Sequence, residues 1–331
     1  MKTWPTWFAA AAVVVVLVAG AGSWSWNHFV SGTWTSSPLV VQLSPEMGPQ
    51  GQLEALEKAW EGTSGERVIR HVVWRGWEGR MKAGQFTFKP EESVETSAER
   101  LVTGDRDAVK VVVPSGRDVG PLAGAVARRL FADSATLAQW FSRDSIMWRI
   151  LPNTYEMWWE TDAEGVALRL LREHRAWWNE DRIAAAAAQG LTPREATVLA
   201  SIVQSETAVI AEAPVVAGLY LNRLKKGMLL QADPTLIFAL GDPSIRRVLD
   251  AHKSVESPYN TYKHKGLPPG PIRFVDPRYL QSVLHPSAHR DLYMCARPGG
   301  DGTHDFARTY REHLRNARAY QNWLNNQRIF R

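Results

Sequence analysis

From Lys2 to His28 the chain carries no charged residue between them, and Trp7 to Gly22 is rich in Ala and Val, with Trp4, Trp7, Trp24 and Trp26 marking the two ends. Such a segment leaves water either as a helix crossing a bilayer or as the apolar core of a cleaved leader. A span needs about 20 residues and favours aromatic rings at both interfaces, whereas a leader's core runs to about 7–15 residues. An anchor over residues 1–27, with a short cytoplasmic stub, is therefore the expectation; cleavage near Ala21-Gly22-Ser23 is the alternative. Only Lys2 and the terminal amine precede the segment, but a long downstream domain is translocated largely regardless of its own charge, so either route puts the body outside the cytoplasmic membrane.

The 331 residues suit two or three domains. Hydrophobic residues at 45% and charged residues at 22% describe ordinary globular material and exclude a disordered, collagen-like or multi-span chain. The net charge of +5 permits approach to anionic surfaces without identifying one. A single cysteine, Cys295, excludes an intramolecular disulfide and any zinc site built on several thiolates. Fifteen tryptophans supply core bulk first, and flat faces for sugar rings second.

Along the body, Gly32 to Gly51 reads as a Ser/Thr/Pro-rich stalk, and Leu53 to Trp60 has helical periodicity. Arg70 to Trp77 and Gln85 to Phe88 read as strands, and Ser93 to Val102 as a helix stopped by Gly104. Val109 to Val113 predicts a strand, Asp118 to about Phe131 a helix, and Thr161 or Asp162 caps a long amphipathic helix running toward Gly190. The mixture predicts an α+β fold.

Thr192-Pro193-Arg194-Glu195 is a capping box with proline at the first helical position. On the helix it starts, Leu199, Ile202 and Val203 form an apolar stripe, and Glu206 falls on that stripe seven, four and three residues later. A carboxyl pressed among apolar neighbours loses hydration of its ionised form, so its pKa rises toward the range where a general acid holds a proton at neutral pH. The competing reading pairs Glu206 with a buried cation such as Arg223. Downstream, polar loops recur at Asn222-Arg223, Gln231 to Thr235, Tyr259 to Tyr262 and Gly266 to Pro271. Amides, hydroxyls and tyrosine rings there suit a polyol ligand, although each segment also serves as turn chemistry.

Leu199-Ala200-Ser201-Ile202-Val203-Gln204-Ser205-Glu206-Thr207-Ala208, with Leu221 to Leu224, Leu230 to Thr235, Tyr259 to Tyr262 and Gly266 to Ile272, resembles the signature of the MltG (YceG-like) endolytic murein transglycosylases. The likeness extends to His285-Pro286, Gly302 to Phe306 and the terminal helix. The resemblance implies an amino-terminal transmembrane helix, a small LysM-like α/β domain over 28–105, a connecting region over 106–190 and a larger mixed α+β catalytic domain over 191–331. It implies a lyase that cuts the MurNAc-β1,4-GlcNAc bond of nascent glycan strands, leaves 1,6-anhydroMurNAc ends and ends strand elongation. The enzyme would be single-pass in the bacterial inner membrane, its body on the periplasmic side, with peptidoglycan strands, the lipid bilayer and peptidoglycan synthases as partners. By the same resemblance Glu206 is the acid. Gln204, Asn222, Gln231, Asp233, Thr235, Tyr259, Asn260, Thr261, Tyr262 and His304 are the substrate-binding candidates, with Asp233 serving either as positioning acid or as helix cap. Gln204 departs from the glutamate usual at that place, which motivates the alternative of a non-catalytic wall-binding or scaffolding protein. No cofactor, metal or nucleic acid is expected: His285 and His289 lack the glutamate of a zinc helix, and no nucleotide loop or serine elbow is present.

Overall fold

The computed structural model describes residues 6–242, 244–245 and 248–327. Lys2 and Trp4 lie outside them. The uncharged stretch forms one helix, Thr6–Ser31. Its Val13–Ser31 portion is long and apolar enough to cross a membrane, and Val13 to Val18 are 57–69% exposed. A helix with a greasy surface and no polar face fits a non-aqueous surround.

The chain divides into two compact units. The first holds the residues up to Val111 together with Arg129–Ala132 and Glu156–Asp162. The stretch expected to be a stalk is folded: Leu39–Leu43 pairs antiparallel with Gly84–Phe88, Leu39 opposite Phe88 and Leu43 opposite Gly84. Alternation sends Val41, Leu43, Phe86 and Phe88 into the core. The Ser/Pro composition around this strand masked its period of two.

Arg70 to Trp77 is not a strand. Glu66–Trp74 is a helix, because Val68, His71 and Val72 recur at spacings of three and four on its buried side, and an Arg70–Glu66 pair sits one turn apart. Packing overrode the β-branched composition. The next helix, Val94–Thr103, has Ser93 accepting from the Thr96 backbone N–H at 3.1 Å and Gly104 in the left-handed conformation that ends it. Trp34, Trp60 and Phe88 interlock at the centre, with ring centroids 4.7–5.5 Å apart.

In the second unit the helix after Asp118 is Val119–Ala127, four residues shorter than expected. The long helix expected up to Gly190 is two, Ala163–Trp177 and Glu180–Ala188, parted where the Asn179 side chain accepts from the Arg182 N–H at 3.0 Å and caps the second. At the centre lies Pro193–Glu206, its capping box formed as Thr192 and Glu195 predict. Ala196 through Val203 are all buried, flanked by the helices Ala213–Lys225 and Pro277–Leu284. The hairpin Tyr293–Ala296/His304–Ala307 and the helix Tyr310–Asn326 complete the unit. Among the described residues three two-stranded sheets and many helices make a mixed α+β chain.

Because Phe88 is fully buried among two tryptophans, Phe88→Ala is expected to destabilise the small unit by about 3–5 kcal/mol, read by denaturant titration. Val40→Ala, on the exposed face of the paired strand, should change it by less than about 0.5 kcal/mol.

Candidate active site

Glu206 is the last residue of the Pro193–Glu206 helix, after which Thr207 is extended. Eight consecutive buried residues fix that helix, so the carboxyl has little freedom to turn to solvent. It lines a cavity of about 340 Å³ together with Tyr220, Arg223, Gln231, Asp233 and Tyr262. The buried Tyr220, on Ala213–Lys225, donates its phenol proton to Glu206 Oε1 at 2.6 Å.

Loss of hydration pushes Glu206 up to about 7; the Tyr220 hydrogen bond opposes that rise, the Asp233 charge adds to it and the Arg223 charge works against it. The negative end of the helix dipole at its own C-terminus also disfavours the ionised form. Tyr220 is held well above the ordinary phenol range, first by burial and then by the adjacent carboxyl.

Arg223 does not neutralise Glu206. Its Nε donates to the Leu292 carbonyl at 2.6 Å, and its Nη1 to the carbonyls of Leu229 at 3.1 Å and Leu230 at 2.9 Å, with Gln231 Oε1 at 3.4 Å. Among the described residues no ion pair involves Glu206. The guanidinium is a clamp on loop carbonyls, and its face covers the Tyr293 ring at 5.3 Å.

Asp233 opens the helix Asp233–Leu240, but Ala232 occupies the cap position and receives no side-chain cap. The Asp233 carboxylate accepts instead from the Tyr262 phenol, which burial and this bond push upward. Gln231 is the only non-glycine residue with positive φ among the described residues, at 51°. Its N–H donates to the Thr261 carbonyl at 3.1 Å, and its side chain lies on the cavity. Backbone held there costs on the order of 1–3 kcal/mol and persists only where its surroundings impose it.

Of the sequence-derived candidates, Glu206, Gln231, Asp233, Tyr262 and His304 come together on this cavity. His304 is held by Glu212, which accepts from its backbone N–H at 2.6 Å and lies 2.8 Å from Nδ1. The remaining candidates stand elsewhere. Thr235, Asn260 and Thr261 are buried behind the wall: Ala232 N–H donates to Thr261 Oγ1 at 3.0 Å, Thr235 Oγ1 lies 2.8 Å from that oxygen, and Asn260 Nδ2 donates to the Lys253 and Val255 carbonyls. Asn260 Oδ1 accepts from Tyr262 N–H at 2.9 Å and so sets the loop that presents Tyr262. Tyr259 packs on Phe238 at 4.7 Å. Asn222 donates to the carbonyls of His289 and Asp291 beside a different cavity. Gln204 accepts from Asp276 N–H and donates to Ser115 Oγ, both at 2.9 Å, tying the helix to distant loops off this cavity.

The sequence reading missed Tyr220, Tyr293, Tyr310 and His313 on the cavity wall. Tyr220 adjoins the Leu221-Asn222-Arg223 motif and lies three residues before Arg223, on the same helix face, a signal that was available. Among the described residues no cluster of three His, Cys, Asp or Glu could hold a metal; His289 Nε2 lies 2.9 Å from the Val215 carbonyl.

The raised Glu206 fixes a sign. Between the ordinary carboxyl value of 4.5 and about 7 the folded chain binds the proton more tightly than the unfolded one, so this group's contribution to stability falls as pH rises through that window. Glu206→Gln keeps an acceptor for Tyr220 and removes the titration. Relative to the unchanged protein, its unfolding free energy should gain by about 3 kcal/mol in all, mostly between pH 4.5 and pH 7; stability curves that run parallel against pH would remove the buried-acid argument.

A model of the YceG-like family matches residues 44–319. The endolytic murein transglycosylase of Bacillus subtilis strain 168 is 39% identical over 115 residues, 35% of this chain and 31% of the relative. That of Streptococcus pneumoniae R6 is 29% identical over 138 residues, 40% of this chain and 25% of the relative. The matches thus span under a third of the relatives' own length. A crystal structure of a yceG-like protein from Listeria monocytogenes covers 85% of this chain and 99% of its own, with a TM-score of 0.53 at 22% identity, a likeness of fold. The family match over most of the chain, running through the helix that carries Glu206, makes this protein a member of the YceG-like family.

Proposed function

We propose that the protein is an endolytic murein transglycosylase that cuts nascent peptidoglycan strands between N-acetylmuramic acid and N-acetylglucosamine. The observation that carries the reading is a carboxyl with a pKa near 7 on a cavity walled by tyrosines. A carboxyl raised toward neutrality is matched to giving and retaking one proton. Glu206 would protonate the bridging oxygen, the bond from muramyl C1 to that oxygen would break, and positive charge would develop at C1. The resulting carboxylate would take the proton of the muramyl 6-hydroxyl as O6 bonds to C1. The acid is regenerated, no water is consumed, and one product ends in 1,6-anhydroMurNAc. Asp233 would favour charge at C1 electrostatically, while Tyr262 and the exposed Tyr310 offer ring faces to sugars.

The chain organisation that accompanies this reading is an anchor over residues 1–27, a LysM-like domain over 28–105, a connecting region over 106–190 and a catalytic domain over 191–331. The body would lie on the periplasmic face of the inner membrane, beside the synthases whose strands it terminates. A second reading, hydrolysis, is favoured by the presence of Asp233 as another carboxyl on the same cavity, since water-using glycosidases employ two. Gln204 gives no support to the inactive scaffold, because it lies off the cavity.

Digestion of uncrosslinked glycan strands followed by mass spectrometry separates these readings. Anhydro ends are expected; products heavier by one water would establish hydrolysis, and no product would favour the scaffold. Glu206→Gln should lower the rate by about 10²–10⁴-fold. Tyr220→Phe removes the bond that holds the Glu206 pKa down, so the alkaline limb of kcat/KM should move to higher pH; an unmoved limb would confine Tyr220 to packing.

A further inference from the structure

The first unit carries an exposed aromatic surface that the proposed reaction does not use. Trp24 is 70% exposed, Trp74 62%, Val73 47% and Trp26 36%. Trp26 and Trp74 touch with ring centroids 4.3 Å apart. One belongs to the long apolar helix and the other ends the Glu66–Trp74 helix, so the surface is continuous from the anchor candidate onto the folded unit.

The connection between the two is tied rather than loose. The Arg67 guanidinium donates to the Phe29 and Thr33 carbonyls and stacks on the Phe29 ring at 5.1 Å. Val94 N–H donates to the Gly32 carbonyl at 3.2 Å, and Thr33 bridges to Ser93. A side chain on the Glu66–Trp74 helix therefore has a fixed height relative to the end of the span. Within the single helix Thr6–Ser31, the stretch from Trp7 to Trp26 is about 28 Å long at 1.5 Å per residue, close to the roughly 30 Å of a hydrocarbon core. Trp24 and Trp26 fall near its exit, where amphipathic indoles favour the headgroup level, and Trp74, packed on Trp26, shares that level. Arg75 lies over the Trp77 ring at 4.7 Å and the Trp74 ring at 5.8 Å, and Arg80 over Trp77 at 5.9 Å, so cationic heads rim the aromatic faces. That charge suits lipid phosphates, although Glu95 lies 3.7 Å from Arg75.

We propose that Trp24, Trp26, Val73 and Trp74 form a seat that lays the Glu66–Trp74 helix on the phospholipid headgroup layer where the span emerges. The seat holds the small unit at the bilayer surface instead of letting it swing from a tether. This inference rests on the anchor reading, and its test separates the two.

The full chain carrying Cys295→Ser receives a nitroxide at Val73→Cys or, in a second preparation, at Val15→Cys. Both are reconstituted in phosphatidylethanolamine/phosphatidylglycerol vesicles, and electron paramagnetic resonance compares collisions with oxygen and with a water-soluble nickel chelate. The Val15 label should read as deep, and the Val73 label at headgroup depth, favouring oxygen over nickel. Trp24→Asp with Trp74→Asp should return the Val73 label to the aqueous value. A deep Val15 label with an aqueous Val73 label overturns the seat and leaves the anchor standing; two aqueous labels overturn both. A Val73 label that keeps its depth in the aspartate variant also overturns the seat. Dipolar broadening between Val73 labels, relieved by dilution with unlabelled chain, would assign the patch to a second copy instead.

Discussion

The hydrogen bond from Tyr220 to Glu206 joins the ends of two requirements that pull against each other. Eight consecutive buried residues from Ala196 to Val203 force the end of that helix into the protein, and with it a carboxyl. An ionised carboxylate left there without partners would cost several kcal/mol. A guanidinium contact would remove that cost but also hold the group permanently ionised. A phenol offers an intermediate solution: it donates to either protonation state and adds no charge at neutral pH. Arg223, whose charge works against the rise, spends its donors on the carbonyls of Leu229, Leu230 and Leu292. The loop shape near the cavity and the unpaired state of Glu206 thus share one cause.

The shell behind the wall follows the same logic. Gln231 holds a costly backbone conformation next to Asp233, and Thr261 supports both sides of it by accepting from Gln231 N–H through its carbonyl and from Ala232 N–H through its hydroxyl. Asn260 spans its own loop with three hydrogen bonds, a role for which its amide has both donors and acceptor. Gln204 uses both ends of its amide between Ser115 and Asp276. A glutamate there could keep the bond from Asp276 N–H but not the bond to Ser115, whose hydroxyl proton goes to the Phe274 carbonyl at 2.8 Å, so the amide suits this place.

The stripe that singled out Glu206 was legible because helix periodicity, capping box and proline agreed over Thr192 to Glu206. Site membership was less legible. Polar loop residues look alike in sequence whether they face a ligand or a backbone carbonyl, and only burial separated Thr235, Asn260 and Thr261 from Tyr262. Tyr293 and His313 escaped notice because they reach the cavity from a hairpin and a terminal helix whose pairing is a tertiary fact; their rings stack 5.5 Å apart. In the small unit, Arg70 to Trp77 misled through composition, since Val68, His71 and Val72 make the helical stripe only when the window opens at Glu66. The Leu39–Leu43 strand was hidden by its Ser/Pro neighbours.

Two carboxyls on one cavity would ordinarily argue for water as the attacking group. Their settings differ in a way that suits the proposed intramolecular route. Glu206 stands at the C-terminal end of its helix and Asp233 in the first turn of its own, so the helix poles facing them are of opposite sign. That asymmetry favours a proton on Glu206, the role wanted of the group that cycles one proton while a neighbouring charge opposes positive charge at C1. Tyr262 donates to one Asp233 oxygen, Oδ1, and so fixes the orientation of that carboxyl on the wall. With O6 of the same sugar as the attacking atom, no second carboxylate has to form a bond or take a proton, and Asp233 can remain a fixed charge throughout.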